Sequence, residues 1–214
     1  MIDIPKTKKA FTLIELTFTI LIIGILANLA IPHIKRDLIH EASTNILSDI
    51  RYTQHLAVID NKHSFNHPTW QRKWWKIGFQ RCTKKSGGGW FQTVSSDLDM
   101  KGDIDAKESA KDPSNGLDMD IAGNQCQAKG INPRMLLSKS YSITKISKNT
   151  KCNKNNMYIG FDYLGRPHSG YLGSKQPDYA SYISENCILT FTLSSGNSFQ
   201  IQISTETGYA FIIN

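Results

Sequence analysis

Glu15 is the residue whose surroundings point most clearly to chemistry. It lies in an apolar stretch from Phe11 to Ile34 that contains no Lys, no Arg and no second acid. About 20 such residues are enough to cross a bilayer, and a carboxylate inside such a segment costs about 2.5–3.5 kcal/mol. The carboxylate therefore needs a cation, which the stretch itself does not provide.

A cation appears if the chain is cut between Ala10 and Phe11. The new α-amino group of Phe11 would lie about one helical turn from Glu15, either on the same molecule or on a packed neighbour. This arrangement indicates a processed apolar helix that assembles with other copies.

The residues around this cut resemble a known signature. KKA–FTLIEL, followed by an apolar run that ends ANLAIP with Pro32, is similar to the prepilin signature of type IV pilins and type II secretion pseudopilins. The resemblance implies that prepilin peptidase removes the leader, residues 1–10, and methylates the amine of Phe11. It also implies that Glu15 and Pro32 serve assembly with other pilins or pseudopilins. The family usually has Gly before the cut, where this chain has Ala10, another small residue.

Two simpler interpretations of the apolar stretch were weighed. An ordinary secretory signal has about 7–15 apolar residues and an A-x-A-like site; this stretch is longer, and its end at 27–30 matches that site poorly. A plain single-pass anchor would not need Glu15. Three lysines precede the stretch, namely Lys6, Lys8 and Lys9. By the positive-inside rule, the N-terminus stays in the cytoplasm and the remainder of the chain is exported. We expect a single-pass inner-membrane protein with a periplasmic head, which then enters a filament or its tip.

The elements that position these residues begin with a long helix. Beyond Pro32, apolar residues recur mostly four apart, at Ile34, Leu38, Ala42, Ile46, Ile50 and Ala57. Charged residues, Asp49 among them, occupy other faces. The pattern predicts a transmembrane and assembly helix over 11–34 and an amphipathic spine helix over 35–60. Together they form one helix that bends near Pro32 and ends near Asp60.

The remaining residues, 61–214, predict a β-rich head of one domain. Alternation and turn residues predict strands over Trp74–Arg81, Trp90–Ser95, Tyr141–Ile146, Tyr158–Asp162, Ile188–Leu193, Phe199–Ser204 and Tyr209–Ile213. Residues 97–130 are polar and rich in turn residues, which indicates an insertion loop. The fold class is α+β, a pilin-like fold with the long helix packed on an antiparallel sheet.

The C-terminal third resembles a particular branch of the family. IGFDYLGRP, followed by CILTFTLSSGNSFQIQISTETGYAFI, is similar to the head of GspH/FimT-type minor pseudopilins. The FimT branch carries an Arg-rich tail motif implicated in DNA binding. The tail of this chain, Gly208–Asn214, has no base, which counts against a direct transfer of that role.

Four cysteines, an even number, lie in the part expected to be exported: Cys82, Cys126, Cys152 and Cys187. An oxidising periplasm favours two disulfides, with three possible connectivities. We favour Cys152–Cys187 because each residue precedes a predicted strand, and this leaves Cys82–Cys126 to tie the insertion loop to the head.

The insertion opens with a segment that resembles an EF-hand calcium loop. Acids stand at its first, third, seventh, ninth and twelfth positions, with Gly102 at the sixth: Asp97, Asp99, Asp103, Asp105 and Glu108. The fifth position is Lys101, which places a cation where a ligand belongs. The alternative is a solvated acidic loop without a metal, and no other cofactor is expected.

A basic, aromatic run precedes the insertion. Between Trp70 and Lys85 there are six bases and no acid, namely Arg72, Lys73, Lys76, Arg81, Lys84 and Lys85. Such a run could follow a phosphate backbone while aromatic rings stack on bases; the simpler alternative turns the rings toward the spine helix and the bases toward solvent. No catalytic constellation appears in a convincing setting. The sequence therefore predicts a structural filament subunit, with a DNA-binding minor pilin for natural transformation as the alternative.

Overall fold

The computed structural model describes residues 12–30, 37–64, 66–102, 104–105, 107–152 and 157–213. The chain divides into two units, Met1–Asp37 and Leu38–Asn214. Four of the predicted functional residues, Ala10, Phe11, Pro32 and Asp103, lie outside the described residues. The predicted cleavage and the bend near Pro32 therefore remain predictions.

The first unit contains helix α1, Leu13–Ala30. Its sequence is apolar around the whole circumference, so no face of the helix is distinctly polar. Two hydroxyls return to the helix backbone: Thr17 Oγ1 donates to the carbonyl of Ile14 at 2.8 Å, and Thr19 Oγ1 donates to that of Leu16 at 2.8 Å. Within the described residues, none of the helices combines the length and the apolar character that crossing a bilayer requires.

The second unit begins with helix α2, Leu38–Ile59. Its apolar stripe packs against two strands of one sheet, Lys76–Arg81 and Tyr158–Phe161, and two strands of another, Ser198–Ile203 and Ala210–Ile213. The buried stripe includes Ala42, Ile46, Ile50 and Ala57. At the end of the helix, the Trp75 Nε1–H donates to Asp60 Oδ2 at 2.9 Å. The predicted end of the spine helix, near Asp60, lies within two residues of the observed end at Ile59.

The β-structure forms two antiparallel sheets of four strands. The first has the order β2-β1-β4-β5 and the second the order β3-β6-β7-β8. In chain order the strands are β1 Lys76–Arg81, β2 Trp90–Ser95, β3 Ile143–Lys148, β4 Tyr158–Phe161, β5 Pro167–His168, β6 Cys187–Leu193, β7 Ser198–Ile203 and β8 Ala210–Ile213. The two sheets share one apolar core with α2. The α+β class and the packing of a helix on antiparallel sheets are confirmed.

Strand β6 shows why the C-terminal strands were predicted closely. Its residues alternate between buried and partly buried positions, as expected for a strand with one face on a core. The turn Ser194–Asn197 joins it to β7, and β7 pairs in turn with β8.

Two local predictions were wrong. Trp74 precedes β1, because residues Trp70–Lys73 form a 3₁₀ turn. Tyr141 ends a short helix, α3 (Leu137–Tyr141), and the strand begins only at Ile143. In both cases an aromatic side chain was assigned to a strand, but it packs into a core from a turn or a helix.

Both disulfides have the expected pairing. Cys82 and Cys126 have Cα atoms 5.7 Å apart, and those of Cys152 and Cys187 are 4.4 Å apart. Cys152 does precede β4, but β4 and β6 belong to different sheets, so the bond does not join these two strands as neighbours. Cys152 lies in the turn after β3, and β3 is the hydrogen-bonded neighbour of β6; the bond therefore closes the end of that strand pair.

The insertion, residues 97–130, folds along the edge of the first sheet. The Val94 N–H donates to the Met119 carbonyl at 2.8 Å, and the Ala110 N–H donates to the Val94 carbonyl at 2.9 Å. Met119 and Ile121 are buried in the main core. The insertion is therefore an integral part of the head rather than a wholly solvated loop.

Candidate functional site

Helix α1 presents an uncovered apolar surface with one carboxylate. All described side chains from Thr12 to Leu26 are exposed, and exposure reaches 81% at Leu13 and 65% at Ile14. Glu15 lies among them in the first turn. Full burial of a Leu or Ile side chain is worth about 1.5–3 kcal/mol, so this surface favours association with other apolar groups.

The basic run does not form one surface. Lys76 is 3% exposed and lies inside the head, so it cannot contact DNA as predicted. Arg72 donates to the carbonyls of Met100 at 3.0 Å and Ser174 at 3.2 Å. Trp70 and Trp74 pack with Tyr171 in a separate small cluster rather than on α2. The simpler interpretation is therefore right only in part: Trp70 and Trp74 do not pack on the spine helix, and Lys76 does not face solvent.

The other end of the run borders a connected set of clefts. One cleft, with a volume of about 700 Å³, is lined by Cys82 and Cys126 and includes Trp90 and Lys139 in its lining. Adjacent clefts are lined by Lys85 and Arg81. The Arg81 guanidinium lies 5.0 Å from the centroid of the Trp90 ring, a cation–π contact. Among the described residues that line these clefts there is no carboxylate.

The acidic loop brings three of its predicted metal ligands together. Carboxylate oxygens of Asp97, Asp99 and Glu108 lie within 4.8 Å of one another. Glu108 Oε1 accepts from the backbone N–H of Leu98 at 2.6 Å and of Asp99 at 3.0 Å. Its Oε2 accepts from the N–H of Asp105 at 3.1 Å. Asp105 is exposed and is not part of the three-carboxylate group.

Lys76 lies beneath this loop on the outer face of the first sheet. Its Nζ is buried and makes no hydrogen bond, and Asp97 Oδ1 is likewise buried without a hydrogen-bond partner. Burial lowers the pKa of Lys76 to about 8, although the charges of Asp97, Glu108 and Asp120 act in the opposite direction. Burial likewise raises the pKa of Asp97, and Lys76 partly offsets that shift. The Lys76 ammonium and these carboxylates attract each other, although no hydrogen bond joins Lys76 to any of them.

A second buried charge network joins α2 to the insertion. Arg134 contacts two carboxylates, with NH2 2.7 Å from Asp49 Oδ1 and NH1 2.8 Å from Asp112 Oδ1. Gln92 Nε2 donates to Asp49 Oδ2 at 2.5 Å. Burial raises the pKa of Asp49 to about 7, Arg134 lowers it and the charge of Asp112 raises it. Hydrogen bonds from Asn132 and Ser114 keep the pKa of Asp112 below its usual value despite its burial.

The sequence analysis placed Asp49 on a polar face of the spine helix, and that assignment was wrong. The residue stands three positions after Ile46 and next to Ile50, inside the stripe that packs on the sheets, and it is 2% exposed. Its position in the helical period was the available signal. Arg134, its partner 85 residues away, had no local signal.

Ser181, His168 and Asp162 form a chain of polar contacts with the composition of a catalytic triad. The Ser181 Oγ lies 3.0 Å from His168 Nδ1, and His168 Nε2 lies 3.4 Å from Asp162 Oδ2. Ser181 is fully buried, and its hydroxyl donates to the Asp178 carbonyl. Asp162 also pairs with Arg166 at 2.7 Å. A substrate cannot reach this serine, so the contacts serve to tie the β4–β5 turn to the segment around Ser181.

Comparison with known proteins agrees with the class indicated by α1 and the head. Two fimbrial proteins of Pseudomonas aeruginosa are each 32% identical to this chain over 95 residues, which are 43% of this chain. The matched region spans 62% of the length of these curated relatives. No family model matches, and no solved structure matches. The similarity is to fimbrial proteins and agrees with a pilin-like head in which a helix packs on antiparallel sheets.

Proposed function

We propose that this chain is a minor pilin or pseudopilin, a structural subunit of a type II secretion or type IV pilus-like filament and not an enzyme. The observation that carries the proposal is helix α1, whose exposed apolar surface is interrupted by a single carboxylate. The similarity to fimbrial proteins and the pilin-like α+β head support it. The GspH/FimT resemblance of the C-terminal strands favours a minor subunit.

Assembly through α1 follows from the energetics of that surface. An exposed apolar helix is stable when lipid or other apolar helices cover it. In this proposal, residues 11–34 lie in the inner membrane before assembly, with the N-terminus cytoplasmic and the head periplasmic. They then enter the filament core among the helices of neighbouring subunits. Two disulfides in the head fit export to an oxidising compartment.

Glu15 supplies the specific contact in this proposal. After cleavage before Phe11 by prepilin peptidase, the new amine is the cation that an apolar environment requires beside the carboxylate. A pair formed with the amine of a neighbouring subunit would fix the axial position of each helix. Glu15 thus determines register, while the apolar side chains provide most of the association free energy.

Substitution of Glu15 tests the proposal. We expect Glu15→Val and Glu15→Gln to leave expression and processing intact and to reduce incorporation into sheared filaments at least about tenfold, a loss of about 1.4 kcal/mol or more. Thr19→Val is the matched control because it changes one exposed hydroxyl of the same helix. Normal incorporation of Glu15→Val would contradict the proposal. Deletion strains scored for secretion, twitching and transformation then identify the machine.

The acid-free rim of the clefts favours a second candidate function, DNA binding during natural transformation. Arg81, Lys85 and Lys139 line adjoining clefts and Lys84 is next to Lys85, so four bases could neutralise phosphates on one side of the head. Of the predicted DNA contacts, Lys76 is excluded because it is buried. Arg72 and Lys73 do not line these clefts, so the contacts retained in this candidate are Arg81, Lys84 and Lys85.

Titration of the full-length chain in detergent with duplex DNA at several salt concentrations tests this second function. Binding that weakens steeply with salt supports it, and Lys84→Gln/Lys85→Gln should reduce the slope by roughly 2. Lys107→Gln/Lys175→Gln is the charge-matched control, since both lysines are exposed and lie away from the clefts. Absence of binding near physiological salt leaves the structural role alone.

A further inference from the structure

We propose that the acidic loop of the head binds a calcium ion through the carboxylates of Asp97, Asp99 and Glu108. Their oxygens lie within 4.8 Å of one another, a spacing that a single ion with ligand distances of about 2.3–2.6 Å can bridge. The three residues come from the two ends of the loop. An ion at this position would close the loop as a clasp.

A buried, unpartnered oxygen points independently to a cation. Asp97 is 2% exposed, and its Oδ1 accepts no hydrogen bond. Leaving such an acceptor unsatisfied costs about 1–3 kcal/mol, and more for a charged group. The nearest buried cation, Lys76, does not satisfy it, because Lys76 Nζ also has no hydrogen-bond partner. This oxygen therefore lacks the partner that a bound cation would supply.

The local charge also favours a divalent cation. Four carboxylates influence this part of the head, whereas two ammonium groups oppose them: Asp97, Asp99, Glu108 and Asp120 against Lys76 and Lys101. Lys101 contacts Asp99 at 2.7 Å, but its side chain is 75% exposed, and an exposed pair of this kind is worth at most about 1 kcal/mol. Calcium can displace it.

The other members of the site retain room for the ion. Glu108 Oε1 accepts two backbone N–H groups of the loop and Oε2 accepts one, which hold the carboxylate in place and leave Oε2 a lone pair that can coordinate the ion. Each of the three carboxylates offers one oxygen within the 4.8 Å spacing, and water completes the shell. Sites of this openness bind calcium at about 10⁻⁴–10⁻³ M, the range of extracellular modules.

Calcium binding would stabilise the attachment of the loop to the first sheet. The Ser96 N–H donates to the Glu108 carbonyl at 2.8 Å, and Ser95 forms a β-bridge with Ser109. An ion bound by the Glu108 side chain would therefore hold the same residue whose backbone carbonyl pairs with the segment at the end of β2. The inference does not depend on whether the chain assembles into a filament.

The experiment compares thermal unfolding of the full-length chain in detergent with EDTA and with 10 mM CaCl₂, a concentration of about 10–100 times the expected Kd. We expect the midpoint to rise by about 3–10 °C. Terbium luminescence excited through the tryptophans, with displacement of terbium by calcium, reports binding directly. The rise and the calcium-displaceable luminescence should both be lost in Asp97→Asn and in Asp99→Asn.

Asp118→Asn is the matched control, because Asp118 is an acid of the same insertion that pairs with Lys111 at 2.6 Å, outside the three-carboxylate group. It should keep the wild-type response. If Asp97→Asn fails to fold, the decision rests on Asp99→Asn, whose side chain is 44% exposed. The proposal is overturned if the wild type shows neither response, or if Asp99→Asn keeps both.

Discussion

At the residue scale, Asp49 balances burial against a guanidinium that it shares with Asp112. Arg134 brings one positive charge to two carboxylates that are both almost inaccessible to solvent. Because one charge is in excess, the network favours a proton on one carboxylate, and the less hydrogen-bonded Asp49 is the one whose pKa rises to about 7.

The raised pKa of Asp49 predicts that the head loses stability as the pH rises. The folded state binds the proton up to about pH 7 and the unfolded state releases it near pH 3.8. Between these values the folded state holds more protons, so the free energy of unfolding falls with increasing pH and levels off above about 7. Urea unfolding followed by tryptophan fluorescence at pH 5 and pH 8 should show a loss on the order of 2 kcal/mol from this group.

Asp49→Asn separates this contribution from those of other groups. The amide can still accept from Arg134, and its NH₂ can donate to Gln92 Oε1, which is buried without a partner. We expect the variant to be less sensitive to pH over the same interval and at least as stable as the wild type at pH 8. Equal pH dependence in the two proteins would contradict the assignment of the titration to Asp49.

Gly160 illustrates a residue that is required by close packing. A Cβ atom at this position would lie 1.9 Å from the Tyr171 hydroxyl, and Tyr171 is 1% exposed. We expect Gly160→Ala to lower the free energy of unfolding by about 2 kcal/mol or more, because a fully buried ring must shift. Gly173→Ala is the control, since nothing lies within 4 Å of its added methyl group. It should change stability by less than about 0.5 kcal/mol; similar losses in the two variants would refute the packing argument.

At the scale of elements, the disulfides reinforce segments that backbone hydrogen bonds already join. Cys82–Cys126 closes a separation of 44 residues that contains β2 and most of the insertion. Cys152–Cys187 closes one of 35 residues between the end of β3 and the start of β6. The insertion is thus attached both by backbone pairing with β2 and by a covalent bond.

Peptide mapping without reduction should recover Cys82–Cys126 and Cys152–Cys187. The double variant Cys82→Ser/Cys126→Ser should lose about 3–4 kcal/mol in the chain-entropy account and become sensitive to protease between residues 97 and 130. The rest of the head should stay resistant to protease, because Cys82 and Cys126 are only two of the many residues that form its core. Free thiols in the wild type, or a Cys82–Cys152 peptide, would overturn this connectivity.

At the scale of the whole molecule, the chain has two units with different physical requirements. The head, Leu38–Asn214, buries its own apolar core, whereas the described part of α1 exposes its apolar side chains. In the proposed filament role, a membrane or neighbouring subunits would cover the apolar side chains of the first unit, and the free energy of that burial is the physical basis of the proposal.

Processing of the N-terminus is the prediction that belongs to this scale. In cells with an active prepilin peptidase, intact mass and N-terminal analysis should find a chain that begins at methylated Phe11. In cells that lack the peptidase, the chain should retain Met1–Ala10. An identical, uncut N-terminus in both strains would contradict the prediction.

The sequence determined the features that depend on local pattern. The four-residue spacing in the spine helix, the alternation in β6 and β7 and the even number of cysteines each report a neighbourhood of a few residues or a compartment. They predicted the α+β class, most strand positions and two disulfides. The tertiary structure decided the rest, because it depends on contacts between distant residues. It divided the strands into two sheets, enclosed Lys76 beneath the acidic loop and paired Asp49 with Arg134. A lysine in a basic run carries no local sign of burial, and the helical period that indicated the burial of Asp49 could not indicate its partner Arg134, because the segments that cover these residues lie far away in the sequence.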